Sequence, residues 1–274
     1  MCVMKNIQTI LLSLILTLPV GLSFSQSENA MTPNALKPAK TKAFHVGEQL
    51  NYRIHYGIIN AGVAELKVTE ENMRGSTPVV HMVGTGKTVG MAEWFFKTRD
   101  RYETYMDTEK MVPVEFIRDV NEGGYKINRH LYFDHNSYTV KDTKAPQKGT
   151  MDIMDNTQDI FSCFYYARTL DASQLKEGDM LQFNMFLDHE LYPFGLRLVG
   201  REWVKTDHGK IKCLKFQPIL QEGRVFKDKE GMIIYISDDE NKIPVLIESE
   251  LLVGSIKVEL TDYKGLKNPI SFKK

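Results

Sequence analysis

The sequence has no excess of charge of either sign, few cysteines and no long hydrophobic run after its first 25 residues. Its 274 residues include 35 Lys and Arg against 35 Asp and Glu. Such a chain lacks the broad basic field that attracts nucleic acid or an anionic membrane surface. Nucleic acid is therefore not an expected partner. With 42% hydrophobic residues, the chain can still bury a substantial core and form one large or two small domains.

Motifs for the common catalytic and cofactor sites are also missing. The segment 84–88 resembles the end of a phosphate-binding loop, but the motif requires glycine where His81 stands and a helix after Thr88. His189 and Glu190 begin a zinc-protease pattern, and Pro193 occupies the position of its second histidine. The seven histidines show no ligand spacing, and there is no Gly-x-Ser-x-Gly elbow. The sequence predicts no metal and no cofactor.

The first 25 residues have the features of a signal peptide. Lys5 provides the positive charge, residues 10–22 are apolar, and residues 23–25 offer small side chains for cleavage after Ser25. Retention as a membrane anchor is the alternative, although the run is shorter than the roughly 18 to 20 residues that span a bilayer. No later segment is long and apolar enough to span. Residues 26–43 are polar and proline-punctuated, and they are predicted to form a disordered leader.

Two cysteines remain after this cleavage, Cys163 and Cys213. Export would place them where a disulfide can persist. Both lie inside apolar runs, as buried free thiols often do. The sequence leaves their pairing open.

The chain contains one pattern twice, 131 residues apart. The pattern is an apolar strand, an acidic tip and a proline that re-enters an apolar run. With a constant offset and no gap, its members are Asp107, Glu109, Pro113 and Val114 in the first copy and Asp238, Glu240, Pro244 and Val245 in the second. The match extends from Gly47 and Gly178 to Tyr132 and Tyr263. We interpret the chain as two copies of one β-unit.

Short segments that alternate apolar with polar residues surround this pattern, as in antiparallel meanders. One segment, 155–170, has helical spacing, with Asp155 or Asn156 as its cap and Phe161, Phe164 and Tyr165 on its apolar face. The predicted fold is mainly β: two tandem antiparallel meanders forming a curved sandwich or barrel-like body, with one linking helix. The first repeat comprises residues 44–150, the linking helix 151–177 and the second repeat 178–274.

An ordered series of motifs resembles one family of exported bacterial proteins, DUF3108. The resemblance covers about residues 44–264. It rests on Gly47, Glu48, Leu50 and Tyr52, on Thr88-Val89-Gly90 before Phe95-Phe96, on Asp100-Arg101, and on segments 107–113, 159–168 and 236–245. The resemblance implies a mostly β fold and a Gram-negative envelope location. It supplies no activity and no catalytic residues.

Two groups of residues are candidates for a functional or structural site. Trp94, Phe95 and Phe96, flanked by Arg99 and Arg101, could line an apolar groove or stack on sugars, or could close one end of the sheet. The acidic run 238–240 could bind Ca²⁺ or supply two carboxylates for sugar hydrolysis. The interpretation we favour for this run is structural. The residues predicted to shape the two turns are Asp107, Pro113, Asp238 and Pro244.

These observations favour an exported, periplasmic protein without catalytic activity that binds an apolar or amphipathic ligand or maintains the envelope. An envelope-glycan hydrolase using Asp238 and Asp239 is one alternative. A structural module that docks onto an envelope protein is another.

Overall fold

The computed structural model describes residues 43–220, 231–251, 254–270 and 272–273. The predicted signal peptide and nearly all of the predicted leader lie outside these residues. The described chain is mainly β, as predicted. Its strands are β1 Gln49–Tyr56, β2 Ile59–Arg74, β3 Thr77–Thr88, β4 Thr98–Asp107, β5 Pro113–Glu122, β6 Tyr125–Asp134, β7 Thr139–Asp142, β8 Thr150–Asp152, β9 Thr157–Gln158, β10 Met180–Leu187, β11 Glu190–Thr206, β12 Gly209–Leu220, β13 Met232–Ser237, β14 Pro244–Glu250, β15 Ser255–Lys264 and β16 Phe272–Lys273. Its helices are α1 Met91–Phe95, a 3-10 turn Pro146–Lys148 and α2 Ile160–Thr169.

All strands belong to one sheet, and its two halves share the same strand order. The order is β8-β7-β6-β5-β4-β3-β2-β1-β15-β14-β13-β12-β11-β10-β9, with β16 beside β12. β1 pairs with β15 and thereby joins the halves. β10, β11 and β14 begin 131 residues after β1, β2 and β5. This common order and spacing is what a duplication of one β-unit predicts.

The sheet curls so that strands far apart in its order share one core. Residues of β3 to β6 and of β10 to β12 pack into a single hydrophobic cluster with α2. The rings of Phe133 and Phe186, on β6 and β10, are 6.2 Å apart. The β10–β11 turn also contacts the first half of the sheet. Asp188 accepts a hydrogen bond from Arg118 at 3.0 Å, and His189 contacts Asp142 at 2.8 Å. Burying one apolar face of each half drives this curvature.

Helix α2 is shorter than the helix predicted for residues 155–170, and its cap differs from the predicted one. Residues 157–158 pair in parallel with β10, so they are extended. Asp159 caps the helix by accepting hydrogen bonds from the N–H groups of Phe161 and Ser162, in a capping box. Phe161 and Tyr165 are buried as expected, whereas Phe164 is only partly buried. The helix is therefore part of the core between the two halves.

A buried ion pair fixes the C-terminal end of α2. The Nη1 and Nη2 atoms of Arg168 donate to Glu48 at 2.6 and 2.8 Å, and both side chains are at most 2% exposed. Arg168 also donates to the carbonyls of Ala43 and Asn241. One guanidinium thus connects the segment before β1, the helix and the β13–β14 turn.

Two further findings concern cysteines and membrane spans. Cys163 and Cys213 are both free and buried. Burial raises the pKa of the Cys213 thiol to about 12, which leaves this thiol protonated and unreactive at neutral pH. Within the described residues, neither helix has the length and hydrophobicity needed to cross a membrane.

Candidate ligand-binding groove

A groove of about 630 Å³ crosses six neighbouring strands, β5, β4, β3, β2, β1 and β15. Its lining residues are Asn51, Tyr52, Val63, Ala64, Glu65, Thr85, Gly86, Lys87, Arg99, Asp100, Arg101, Asp119 and Thr261. Most of their side chains belong to the sheet face opposite the main core. A volume of this size is within the range typical of small-molecule sites.

Strand alternation and register bring the cations of this groove together. In β4, Thr98, Asp100 and Tyr102 are buried, whereas Arg99 and Arg101 point to the exposed face. Arg99 pairs in register with Lys87 on β3. A row formed by Asp119, Arg101, Thr85, Glu65 and Asn51 runs side by side across five strands. Basic and polar side chains from distant parts of the sequence thus line one groove.

Two of the three cations retain free donors. Arg101 uses its Nε to donate to Glu103 at 2.6 Å, and its two Nη atoms have no partner among the described residues. The Lys87 ammonium likewise has no ion pair or hydrogen bond within the described part of the chain, and Lys87 is exposed. Arg99 is engaged, because it pairs with Glu93 of α1 and donates to the carbonyl of Thr98. The free positive groups of the groove are therefore Lys87 and the end of Arg101.

The three acidic residues of the groove equal its three cations in number, but they do not occupy all the donors of these cations. Glu65 already accepts a hydrogen bond from Gln49 at 2.6 Å and pairs with Lys67. Asp119 is directly opposite Arg101 in the register, without an ion pair between them. Arg99, Arg101 and Glu65 are in ion pairs with Glu93, Glu103 and Lys67, so the groove has unoccupied donors on Lys87 and Arg101 but no excess of positive charge. A group with negative charge and several acceptor oxygens fits this arrangement.

Behind the groove, the opposite face of the same strands carries a buried polar cluster formed by Asp100, Tyr102, Arg118 and Glu122. Burial raises the pKa of Asp100, opposed by hydrogen bonds from Asn121 and Glu122 and by the charge of Arg118. Burial also raises the pKa of Tyr102 to about 12. These side chains face the core, and Asp100, which also borders the groove, is only 4% exposed.

The five residues predicted to form one ligand site separate into three environments. Arg99 and Arg101 line the groove. Phe96 is buried against the Gly123 turn, where an added Cβ would lie 2.3 Å from its ring. Trp94 and Phe95 project from α1 into solvent. The structural reading, in which aromatic residues close the end of the sheet, fits Phe96 alone.

The acidic turns form as hairpin turns, with one change of residue. Asp107 accepts hydrogen bonds from the N–H groups of Glu109 and Lys110, and Pro113 begins β5. In the second turn, the corresponding acceptor is Asp239, which receives hydrogen bonds from Asn241 and Lys242. The turn-forming aspartate is thus one residue after the predicted Asp238.

Asp238 has a different role, since it pairs with Lys212 at 3.2 Å and Arg201 at 3.7 Å. Pro244 begins β14, as Pro113 begins β5. Asp238 and Asp239 therefore contact different partners and do not face each other across a cleft. In the described ranges, no three His, Cys, Asp or Glu side chains are placed to share a metal ion.

Sequence reasoning missed several groove residues, above all Lys87, Thr85 and Asp119. In the sequence, Lys87 stands out only as part of the incomplete phosphate-binding motif. The available signal was the two-residue alternation of β3 to β5, which places Lys87, Arg101 and Asp119 on one exposed face. The neighbouring Glu103 was also missed. Burial raises the pKa of Glu103, but hydrogen bonds from Arg101 and His81 lower it by more, so the net pKa is below its ordinary value.

Comparisons with known proteins support the fold without naming a ligand. The family model described as "Protein of unknown function (DUF3108)" matches residues 51–261. A β-barrel-like protein of the DUF1849 domain from Brucella abortus has a TM-score of 0.53 at 11% identity, covering 82% of this chain and 99% of its own. This similarity concerns the fold alone.

Two more distant structures are a provisionally assigned lipoprotein from Parabacteroides distasonis and a provisionally assigned exported protein with a YmcC-like fold from Bacteroides fragilis. The first has a TM-score of 0.34 at 11% identity and covers 83% of this chain and 99% of its own. The second has a TM-score of 0.33 at 12% identity and covers 81% and 97%. No curated protein sequence matches the chain.

Proposed function

The chain belongs to the DUF3108 family, whose function is unknown, and we propose that it is a non-catalytic envelope protein that binds an amphipathic molecule with an anionic head group. The observation that carries this proposal is the set of unoccupied donors in the groove, the Lys87 ammonium and the Nη atoms of Arg101. The predicted signal peptide supports an exported location.

The chemistry of the groove favours an anionic head group. The planar guanidinium end of Arg101 can donate two parallel hydrogen bonds to a phosphate or carboxylate. Lys87 is two pairing positions away on the same face, diagonally opposite Arg101, so the two long side chains can contact the same group. Thr85 and Asn51 add neutral hydrogen-bonding groups along the same face. A head group with several oxygens satisfies more of these groups than a single ion does.

The position of the groove favours an amphiphile over a wholly polar ligand. Lys87 and Arg99 are each one residue from the end of their strands, where α1 connects β3 to β4. The exposed rings of Trp94 and Phe95 are on this connection. A molecule whose head group occupies the groove can therefore extend its apolar part towards these rings.

The observed geometry supports binding more than hydrolysis. Glycosidases place two carboxyl groups about 5 to 10 Å apart on either side of the substrate bond. Asp239 is committed to its turn and Asp238 to two cations, while Asp100 faces the core. The other acids of the groove are Glu65, which is already bonded, and Asp119.

The test is the binding of a short-chain phosphatidic acid, measured by isothermal titration calorimetry with the matching phosphatidylcholine as the comparison ligand. We expect the phosphatidic acid to bind more tightly. Lys87→Gln and Arg101→Gln should each weaken binding about tenfold or more, since hydrogen bonds to charged groups contribute roughly 1.5 to 3 kcal/mol. The control is Lys141→Gln, which removes the charge of an exposed lysine on β7. Equal binding by the double groove variant and the wild type would refute the proposal.

A further inference from the structure

Three connections and the start of β15 meet at one end of the sheet. The N–H of Gly57, in the β1–β2 turn, donates to the carbonyl of Ser255 at the start of β15. The N–H of Val89, just after β3, donates to the carbonyl of Ala61 near the start of β2. Gly123 in the β5–β6 turn donates to Lys97, just before β4. Backbone hydrogen bonds thus hold the β1–β2, β3–β4 and β5–β6 connections and the start of β15 side by side. We call this end of the molecule the apolar rim.

The rim carries the most exposed large apolar side chains of the described residues. Ile58 is 100% exposed, Trp94 87%, Phe95 82%, Met91 64% and Tyr125 61%. They project from three separate connections, so no single local irregularity explains them. Large exposed apolar groups gathered at one end of a protein mark interaction surfaces.

Basic side chains surround these apolar groups. Lys87 and Lys97 flank α1, and Lys126 follows Tyr125, and all three are exposed. Glu93 in α1 is paired with Arg99, so it does not cancel these lysines. Glu250, the exposed last residue of β14, opposes them with one charge. The rim is therefore locally basic, although the whole chain has no net charge.

We infer that the apolar rim inserts into the surface of a phospholipid membrane that contains anionic lipids. Tryptophan and other aromatic residues favour the boundary between head groups and acyl chains. Nearby lysines attract anionic head groups at short range. Protruding loops tipped by Ile58, Trp94 and Phe95 suit a deformable lipid surface, because each side chain can enter it independently. This insertion extends the proposed function and does not require a ligand in the groove.

The two tryptophans of the chain, Trp94 and Trp203, provide a local test. Trp94 is at the rim, whereas Trp203 is near the β11–β12 turn at the opposite end of the sheet. Trp203→Phe leaves Trp94 as the only indole, and Trp94→Phe leaves Trp203. Each protein is mixed with vesicles of equimolar phosphatidylglycerol and phosphatidylcholine, and with pure phosphatidylcholine. Quenching by brominated acyl chains then reports which end of the molecule is inserted.

We expect the emission of Trp94 to shift to shorter wavelength and to be quenched by brominated lipid in the anionic vesicles. The emission of Trp203 should change little, even if the apolar N-terminal segment contributes to attachment. In the Trp203→Phe background, Ile58→Ser with Phe95→Ser should weaken partitioning at least tenfold. Met73→Ser with Met154→Ser is the control, since these residues are 52% and 55% exposed outside the rim.

Three results would overturn the inference. The first is an unchanged Trp94 emission at saturating anionic vesicles, and the second is equal quenching of both tryptophans. The third is a Trp94 shift that depends on protein concentration without lipid, which would indicate self-association through the rim. Loss of phosphatidic acid binding in Arg101→Gln, with Trp94 insertion retained, would separate this inference from the proposed function, because Arg101 is not one of the rim lysines.

Discussion

The buried ion pair between Arg168 and Glu48 yields the sharpest stability prediction. Glu48→Gln keeps the shape of the side chain but removes its charge. One amide oxygen can still accept from Arg168, while the amide NH₂ then faces the second guanidinium nitrogen, so that two donors oppose each other. An uncompensated cation remains in a site that is about 2% exposed.

We expect Glu48→Gln to lower the free energy of unfolding by about 3 to 5 kcal/mol, the usual cost of breaking a buried pair by removing one partner. The assay is urea unfolding followed by circular dichroism, with the denaturant slope compared between variants. Asp179→Asn is the matched control. Asp179 lies 131 residues after Glu48 and is exposed, and its carboxylate accepts one backbone hydrogen bond from Lys176 at 2.8 Å. That change should cost about 1 kcal/mol.

A double variant separates the unpaired charge from lost packing. Glu48→Leu with Arg168→Met removes both charges and should be less destabilised than Glu48→Gln alone, because no buried ion lacks its partner. The backbone carbonyls of Ala43 and Asn241 would still lose a donor. Our reasoning is refuted if Glu48→Gln costs no more than Asp179→Asn, or if the double variant costs the sum of its single changes.

Two other predictions concern aspartates that accept backbone hydrogen bonds. Burial raises the pKa of Asp159 to about 6, so the folded state binds this proton more tightly than the unfolded chain. Its stabilising contribution is complete below the ordinary pKa near 4 and is lost as pH rises through about 6. Asp159→Asn should remove this decline in the free energy of unfolding, measured by urea unfolding between pH 4 and 7. An unchanged pH profile would contradict this prediction. Asp107→Ala and Asp239→Ala should each lower the free energy of unfolding by roughly 0.5 to 2 kcal/mol. Asp238→Ala should lower it by less than about 1 kcal/mol. A larger loss of melting temperature for Asp238→Ala than for Asp239→Ala would show that Asp238 forms the turn.

Local patterns in the sequence determined the strands and the positions of their turns. Alternation of apolar and polar residues located strands such as β4 and β5, since this period is a property of each strand alone. The 131-residue spacing placed Pro113 and Pro244 at the starts of equivalent strands, where proline requires no ladder donor. Helix α2 was located by its apolar spacing. Its start was misplaced because pairing with β10 holds residues 157–158 in extended form.

The tertiary structure alone decided which of these faces meet. The groove requires Lys87, Arg101 and Asp119 to be adjacent, and this depends on strand order and register across β3, β4 and β5. The Arg168–Glu48 pair joins residues 120 positions apart. Burial and curvature of the sheet likewise separated Phe96 from Trp94 and Phe95, which are neighbours in sequence. A two-residue period specifies which side of a strand a side chain occupies, but the neighbour it contacts is set by long-range pairing and by closure of the sheet around its core.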